Sequence, residues 1–269
     1  MHKIEILMAT YNGEKYLEAQ IESILSQSYN NWQLIIHDDG SSDGTLEILN
    51  RYCNKFPEKI KIIHDDIRTG GAKNNFFHLL KHATAKYLMF SDQDDIWLPN
   101  KIELSLEKIL SINNQDQAIL LFTDLKVVDK NLKVISESMI TYQRLKVPKT
   151  IYDAAAHNAV TGCTVMFNNA LLKKLTFPSE ALMHDWWLCI ETFKNNGRVV
   201  FLDAPTILYR QHDNNTIGAK KHNLSSILLK IKKPKILYKN IASSFKQFNL
   251  STGKGFLFFI YKKISIICQ

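Results

Sequence analysis

The first half of the chain alternates between two hydrophobic patterns. Ile4 to Ala9 (IEILMA), Trp32 to His37 (WQLIIH), Ile60 to Ile63 and Tyr87 to Phe90 (YLMF) are short, nearly continuous apolar runs, which predict buried strands. Between them, Glu14 to Gln27 carries Leu17, Ile21, Ile24 and Leu25 at helical spacing. Further helices are predicted from Thr45 to about Phe56, from about Asn74 to His82 and from Pro99 to about Ile112. Ser42 or Asp43 can cap the first of these, and Pro99 suits a first helical turn. Ala118 to Thr123 predicts one more strand. Strands alternating with helices predict βαβ units and a mostly parallel α/β sheet, which binds ligands beyond the carboxyl ends of its strands.

The second half is less regular. Residues 125–150 are polar and weakly patterned, which predicts an excursion over the surface. Val160 to Phe167 predicts a strand interrupted at Gly162, His184 to Phe193 a helix, and Val199 to Leu202 and Ile207 to Tyr209 two strands. Helical patterning returns at Leu224 and is broken at Pro234.

Composition adds little until charge is placed along the chain. Forty-five per cent hydrophobic and 22% charged residues over 269 positions describe an ordinary globular protein with room for a sizeable core. The four cysteines are scattered, without a C-x-x-C pair, against a cysteine zinc site or a disulfide framework and in favour of a reducing compartment. The sequence enters a strand-like run at once, so no signal peptide is expected. The net charge of +8 hides an asymmetry. After Asp213 there is no Asp or Glu, while the tail from 214 to 269 carries 11 lysines and no arginine, leaving a slightly acidic body. Such asymmetry marks an anionic partner, a membrane surface or a nucleic acid.

The polar clusters fall at predicted strand ends: Thr10-Tyr11-Asn12, Asp38-Asp39 and Asp92-Gln93-Asp94-Asp95. A D-x-D at a strand end can set two carboxylates against one hard cation such as Mg²⁺ or Mn²⁺, which wants oxygen ligands and leaves positions for phosphate. The alternative is a cluster at a helix start, which suits Asp95, close to Pro99. Asp39 to Asn50 fails as a calcium loop, because the twelfth position is Asn50 where a bidentate Glu is needed. A carboxylate ending the second strand can instead accept the imide N–H of a pyrimidine base. His184-Asp185-Trp186-Trp187 fits either a helix start with core tryptophans or a site carboxylate. His212, in Tyr209-Arg210-Gln211-His212, fits either a solvated loop or a ligand completing a metal shell. No G-x-G-x-x-G follows the first strand, Ser251 to Gly255 lacks the rest of a phosphate loop, and no G-x-S-x-G is present.

Taken in order, Ala9-Thr10-Tyr11-Asn12-Gly13, Asp38-Asp39-Gly40-Ser41-Ser42-Asp43-Gly44-Thr45 and Ser91-Asp92-Gln93-Asp94-Asp95 resemble the family 2 inverting glycosyltransferases of GT-A fold. The resemblance covers residues 1 to about 215. D-Q-D-D-I-W, H-D-W-W and Y-R-Q-H resemble the bacterial rhamnosyltransferase-like branch. The resemblance implies a Rossmann-like, mixed and mostly parallel sheet flanked by helices. It implies a catalytic domain at 1–218, and the lysine-rich remainder, 219–269, is expected to form a basic helical tail. Thr10, Tyr11, Asn12, Asp39, Arg68, Asn74 and Asp92 would bind the donor nucleotide. Asp94, with His212, would ligate Mn²⁺ or Mg²⁺. Asp185 would be the catalytic base, although His184 stands where the family commonly has a second acid. The donor would be dTDP-L-rhamnose or a UDP-hexose. The acceptor would be a glycan hydroxyl, lipid-linked, in the synthesis of cell-surface polysaccharide such as capsule or O-antigen.

Leu224 to Leu237 and Gly255 to Cys268 mix lysines with aliphatic and aromatic residues, and neither is long enough to span a bilayer. Both suit helices lying on an anionic leaflet, which would place the enzyme on the inner face of the cell membrane. The alternative is a tail packed on the body or on a second subunit of a homodimer. Two other function classes remain: a nucleotide-sugar-binding module without transfer activity, and a nucleic-acid-binding protein using the tail. Lysines without arginines favour lipid over nucleic acid.

Overall fold

The apolar runs of the first half form a sheet because helices cover both of its faces. The structure, a computed structural model, describes residues 2–112, 116–212 and 234–267. β1 (Ile4–Thr10), β2 (Trp32–Asp38), β3 (Ile60–Ile62) and β4 (Tyr87–Ser91) alternate with α1 (Glu14–Leu25), α2 (Thr45–Lys55) and α3 (Ala72–Leu80). A short β5 (Ile96–Trp97), α4 (Lys101–Leu110), β6 (Ile119–Val128), β7 (Val134–Ser136), α5 (Met139–Gln143) and α6 (Ile151–Ala156) follow. A 3₁₀ turn (Gly162–Thr164) leads into β8 (Val165–Asn168), α7 (Asn169–Leu172), α8 (His184–Lys194) and β9 (Arg198–Arg210). The chain ends in α9 (Pro234–Thr252) and α10 (Phe256–Ile267).

Among the described residues the strands form one sheet in the order β3-β2-β1-β4-β8-β6-β9-β5, with β7 paired to β6. β1 is parallel to both β2 and β4, and β2 to β3. β8 lies antiparallel between β4 and β6, and β6 is parallel to β9. Successive residues of a strand face opposite sides of the sheet. Ile4, Ile6 and Met8 therefore join α1 and α2 side chains such as Leu17, Ile21 and Leu49 on one face. Leu7, Leu88 and Phe90 join Phe76, Trp187 and Leu188 on the other. Burial on both faces is why these strands read as apolar runs rather than alternating ones. This topology brings the ends of β1, β2, β4 and β9 and the start of β8 to one edge of the sheet.

Several expectations are corrected. Residues 125–128 are not part of a surface excursion, whereas 129–150 run over the surface as expected, with Met139 and Pro148 their buried positions. β6 continues through Val128, with its pairing to β9 shifting register around Asp124, and the buried Asp124 carboxylate accepts the N–H groups of Leu125 (2.8 Å) and Met139 (3.0 Å). The register shifts erase the period-2 signal that sequence patterning relies on. The strand expected over 160–167 is a 3₁₀ turn and only four strand residues, and the two strands expected over 199–209 are the single strand β9. Asp95 is not at a helix start: it is buried, and its Oδ1 accepts the Arg210 N–H at 3.1 Å, while Asn100 precedes α4. Pro234 is the first residue of α9, where its missing N–H is tolerated; the helical patterning expected from Leu224 to Lys233 lies outside the described residues. Most of the Leu224 to Leu237 stretch lies outside the described residues.

The described part of the tail packs on the body. Phe248 and Phe259 are fully buried in the apolar cluster that contains Ala154–Ala156 of α6 and Trp187 of α8. Gln247 accepts the Leu182 N–H at 2.7 Å, and Lys262 pairs with Asp153 at 2.7 Å. The opposite side of these helices leaves Tyr238, Leu257, Tyr261 and Ile264 exposed. No described helix is long and apolar enough to cross a membrane.

Candidate active site

At the shared sheet edge lies a cleft of about 1080 Å³. Its first wall comes from the β1 and β2 ends, and its polar groups are tied to one another. Thr10 Oγ1 donates to Asp38 Oδ2 (2.8 Å), and the Asn12 N–H, in a left-handed conformation (φ 47°), donates to Ser41 Oγ (2.8 Å). Asn12 Oδ1 in turn accepts the Ser42 N–H at 2.8 Å. Asp39 accepts the Gly70 N–H (3.3 Å), the Gly71 N–H (2.9 Å) and the Thr69 N–H, so one carboxylate fixes the whole 69–71 turn. Arg68 lies over Gly40. Asn74 holds the same turn through Thr69 O (2.9 Å) and is exposed, whereas its neighbour Asn75 lines the cleft. Tyr11 and Gln93 exchange two hydrogen bonds, Tyr11 N–H to Oε1 (2.9 Å) and Nε2 to Tyr11 O (3.0 Å). A Cβ at position 13 would meet Gln93 Oε1 at 2.3 Å, so this close approach requires Gly13.

The floor is charged and less satisfied. β4 ends in the four residues Asp92 to Asp95. Burial, then the charges of Asp94 and Asp185, push the Asp92 carboxyl up to about 7. Burial and the charges of Asp94 and Asp92 also raise Asp95 well above its ordinary value, and its Oδ2 has no hydrogen-bond partner. The Cys163 thiol lies within 4.8 Å of both carboxylates, and burial raises it strongly. Asp94 Oδ2 meets His212 Nε2 at 2.8 Å. The end of β9 clamps this floor: Arg210 Nε donates to Asp94 O (2.9 Å), its guanidinium lies 4.6 Å from the Tyr16 ring, and that ring lies 4.8 Å from His212. Repelling carboxylates with an imidazole among them fit a divalent cation such as Mn²⁺ or Mg²⁺, whose charge would relieve the repulsion.

The far wall carries Asp185. It sits in the first turn of α8, where the helix N-terminus favours a negative charge. Burial raises its carboxyl to about 6, against the N–H groups of Trp186 (2.6 Å to Oδ1) and Gly162 and the Asn158 side chain, which stabilise its charge. Such a carboxylate is ionised at neutral pH yet basic enough to take a proton. His184 is not a second acid in function. Its ring stacks on Phe76 at 4.0 Å, neither nitrogen has a partner, and burial lowers its pKa to about 3, so it is neutral. Its Nε2 would be 2.7 Å from a Cβ at position 162, which explains Gly162 there. Trp186 is held by its Nε1–H to Ala154 O (2.6 Å), and with Met139, Gln143 and Leu145 it completes this wall.

The structure thus brings Thr10, Tyr11, Asn12, Asp39, Arg68, Asp92, Asp94, Asp185 and His212 to one cleft and leaves Asn74 outside its lining. Sequence reasoning missed Gln93 and Arg210 as positioning groups, although both stand inside quoted motifs. It also missed Asn158 and the α5 wall, for which only the resemblance to a known enzyme class gave a reason to look.

Comparison with known proteins bears on the family and the fold. Residues 5–171 match Glycosyl transferase family 2. The chain is 31% identical to the dTDP-rhamnosyl transferase RfbG of Shigella flexneri over 79% of this chain and 74% of that protein. It is 30% identical to the UDP-Glc:alpha-D-GlcNAc-diphosphoundecaprenol beta-1,3-glucosyltransferase WfgD of Escherichia coli, over 72% and 71%. In fold it resembles S. aureus TarS, residues 1–349, in complex with UDP-GlcNAc, with a TM-score of 0.65 and 17% identity over 98% of this chain and 71% of that one.

Proposed function

This chain belongs to glycosyl transferase family 2, with the GT-A fold of that family, and from that premise we propose a metal-dependent, inverting transfer of one sugar to a glycan hydroxyl. The observation that carries the proposal is a single buried, ionisable carboxylate, Asp185, facing a carboxylate floor across one cleft. In this scheme Thr10, Tyr11, Asn12, Asp39 and Arg68 hold the nucleotide, and Asp92 faces the ribose and diphosphate. Asn74 acts at one remove, by holding the 69–71 turn. Asp94 and His212 would hold Mn²⁺ or Mg²⁺, which would supply charge stabilisation for the departing diphosphate. Asp185 takes the proton of the acceptor hydroxyl as its oxygen bonds to the anomeric carbon. The bond from that carbon to the nucleoside diphosphate breaks in the same displacement, and the configuration inverts. The catalytic domain spans 1–218 and the tail 219–269.

The donor in this proposal is dTDP-L-rhamnose or a UDP-hexose, in keeping with the named donors of the two relatives. The acceptor is a lipid-linked glycan, in keeping with the diphosphoundecaprenol acceptor named for the second. The exposed Tyr238, Leu257, Tyr261 and Ile264, among the lysines of α9 and α10, form the face that would rest on an anionic leaflet. That would place the enzyme peripherally on the inner membrane face, in cell-surface polysaccharide synthesis. Flotation with anionic vesicles tests the tail: loss of flotation on Leu257→Glu is expected, and flotation unchanged by it counts against the assignment. The donor is tested by thermal stabilisation and slow hydrolysis across a panel of nucleotide sugars with Mn²⁺. Selective stabilisation by one donor is expected, and a panel without any effect contradicts the proposal.

A further inference from the structure

Behind the nucleotide wall lies a second group of metal-ligating side chains that the transfer chemistry does not use. His37 of β2, Asp65 of the loop after β3 and His78 of α3 bring one ligand atom each to within 4.8 Å of one another. His37 Nε2 is 3.2 Å from Asp65 Oδ1, and His78 Nε2 is 2.8 Å from Asp65 Oδ2. Tetrahedral zinc with bonds of about 2.0–2.1 Å sets its N and O ligands roughly 3.3 Å apart; the His37 contact already has that spacing, and the His78 contact would open by about half an ångström to take an ion.

The hydrogen bonds around His37 fix its tautomer. Asn75 Nδ2 donates to His37 O at 3.2 Å, so Asn75 Oδ1 faces His37 Nδ1, at 2.8 Å. Nδ1 must then carry the proton, and Nε2 of the neutral ring turns a lone pair toward a carboxylate oxygen. Two lone pairs facing each other repel unless a second proton or a cation stands between them. A cation answers His37, Asp65 and His78 together. An imidazole whose other nitrogen donates to a fixed oxygen is the usual orientation of a metal-bound histidine. The Asp65 side chain is 25% exposed and borders a hollow of about 380 Å³ lined also by Asp38, His64 and Arg68, which gives an ion a way in.

We propose that His37, Asp65 and His78 form a second metal site, for a borderline cation of the zinc type, separate from the carboxylate floor. Two imidazoles and one carboxylate favour zinc over magnesium or calcium, whereas the carboxylate floor favours hard cations. The site joins β2, α3 and the loop that carries Arg68 and the 69–71 turn fixed by Asp39. A bound ion would brace the nucleotide wall from behind. The proposal stands apart from the transferase assignment, because the ion is measured without donor or acceptor.

The test uses the full chain stripped by chelator, with Asp94→Ala introduced so that the floor does not compete. Cobalt(II) is titrated and its visible absorption recorded, and zinc retention is measured after gel filtration. The parent is expected to give the intense spectrum of a tetrahedral N/O site and to retain one zinc per chain. Asp65→Asn, nearly isosteric and at the surface, and His78→Gln should each weaken binding by about 10-fold or more, the least that loss of a supporting group around a metal costs. Cobalt binding equal to the parent's in both variants overturns the proposal, as does a parent that retains no zinc.

Discussion

The two sides of the cleft differ in how far their polar groups are satisfied. On the nucleotide side, Asp38 and Asp39 end a buried strand, yet Gly40 and Ser41 bond the first carboxylate and the N–H groups of the 69–71 turn bond the second. Beside them, Asp92 is pushed up to about 7 and Asp185 to about 6 by burial, and Asp95 keeps an oxygen without a partner. The same residue type at equivalent strand ends is a structural tie in one place and a stored electrostatic cost in the other. A finished wall presents a fixed shape to a ligand. A strained floor gains most when charge arrives from outside, which is how perturbed carboxylates come to mark functional sites.

This contrast predicts unequal responses to substitution. The largest effect is expected at Asp185. Asp185→Asn should lower turnover by about 10²–10⁴-fold while leaving donor affinity near that of the parent, because it removes proton transfer and little else. Equal losses in affinity and turnover would instead make Asp185 a binding group. Next, the rate should fall about tenfold per pH unit below about pH 6, where Asp185 protonates, a limb that a pH profile of kcat/KM reads directly.

Stability should move the opposite way. A carboxyl raised in the folded state favours folding when protonated, so the contributions of Asp185 and Asp92 are full below about pH 4. They are lost as pH rises through about 6 and 7. The metal-free Asp185→Asn protein should therefore be more stable than the parent at pH 8 by on the order of 2–3 kcal/mol, with little difference near pH 4, measured by urea unfolding. A difference independent of pH would remove the link to ionisation. The smallest effect is expected for Gln93→Ala. It should cost about 1 kcal/mol of stability from two exposed hydrogen bonds and raise the donor KM without changing kcat, since it loosens the Tyr11 turn only.

The same contrast explains what was legible in the sequence. The parallel half was readable because each buried strand ends abruptly in polar residues, so β1, β2 and β4 announce both their burial and their ligand edge. Asp92 to Asp95 stood out as charge that local structure could not absorb. What was hidden depends on pairing over long separations. Asp95 looked like a helix-start residue because the partner that claims it, the Arg210 N–H, is 115 positions away. β6 looked short because its register shifts against β9 mix polar Asp124 and Lys126 into a buried strand. His184 looked like a departure in the chemistry, and only the Phe76 and Phe90 rings around it show a neutral core side chain. The tail displayed its lysines in the sequence, but not that Phe248 and Phe259 bury one face against α6 and α8.

The strained floor is proposed to hold a diphosphate through a divalent cation. Its most direct test is the affinity of UDP and dTDP, by calorimetry, with Mn²⁺ and with chelator, in the parent and in Asp94→Ala. Tight binding only with Mn²⁺ in the parent, and weak, metal-independent binding in the variant, is the predicted result. Equal affinity in the parent with and without metal would contradict it.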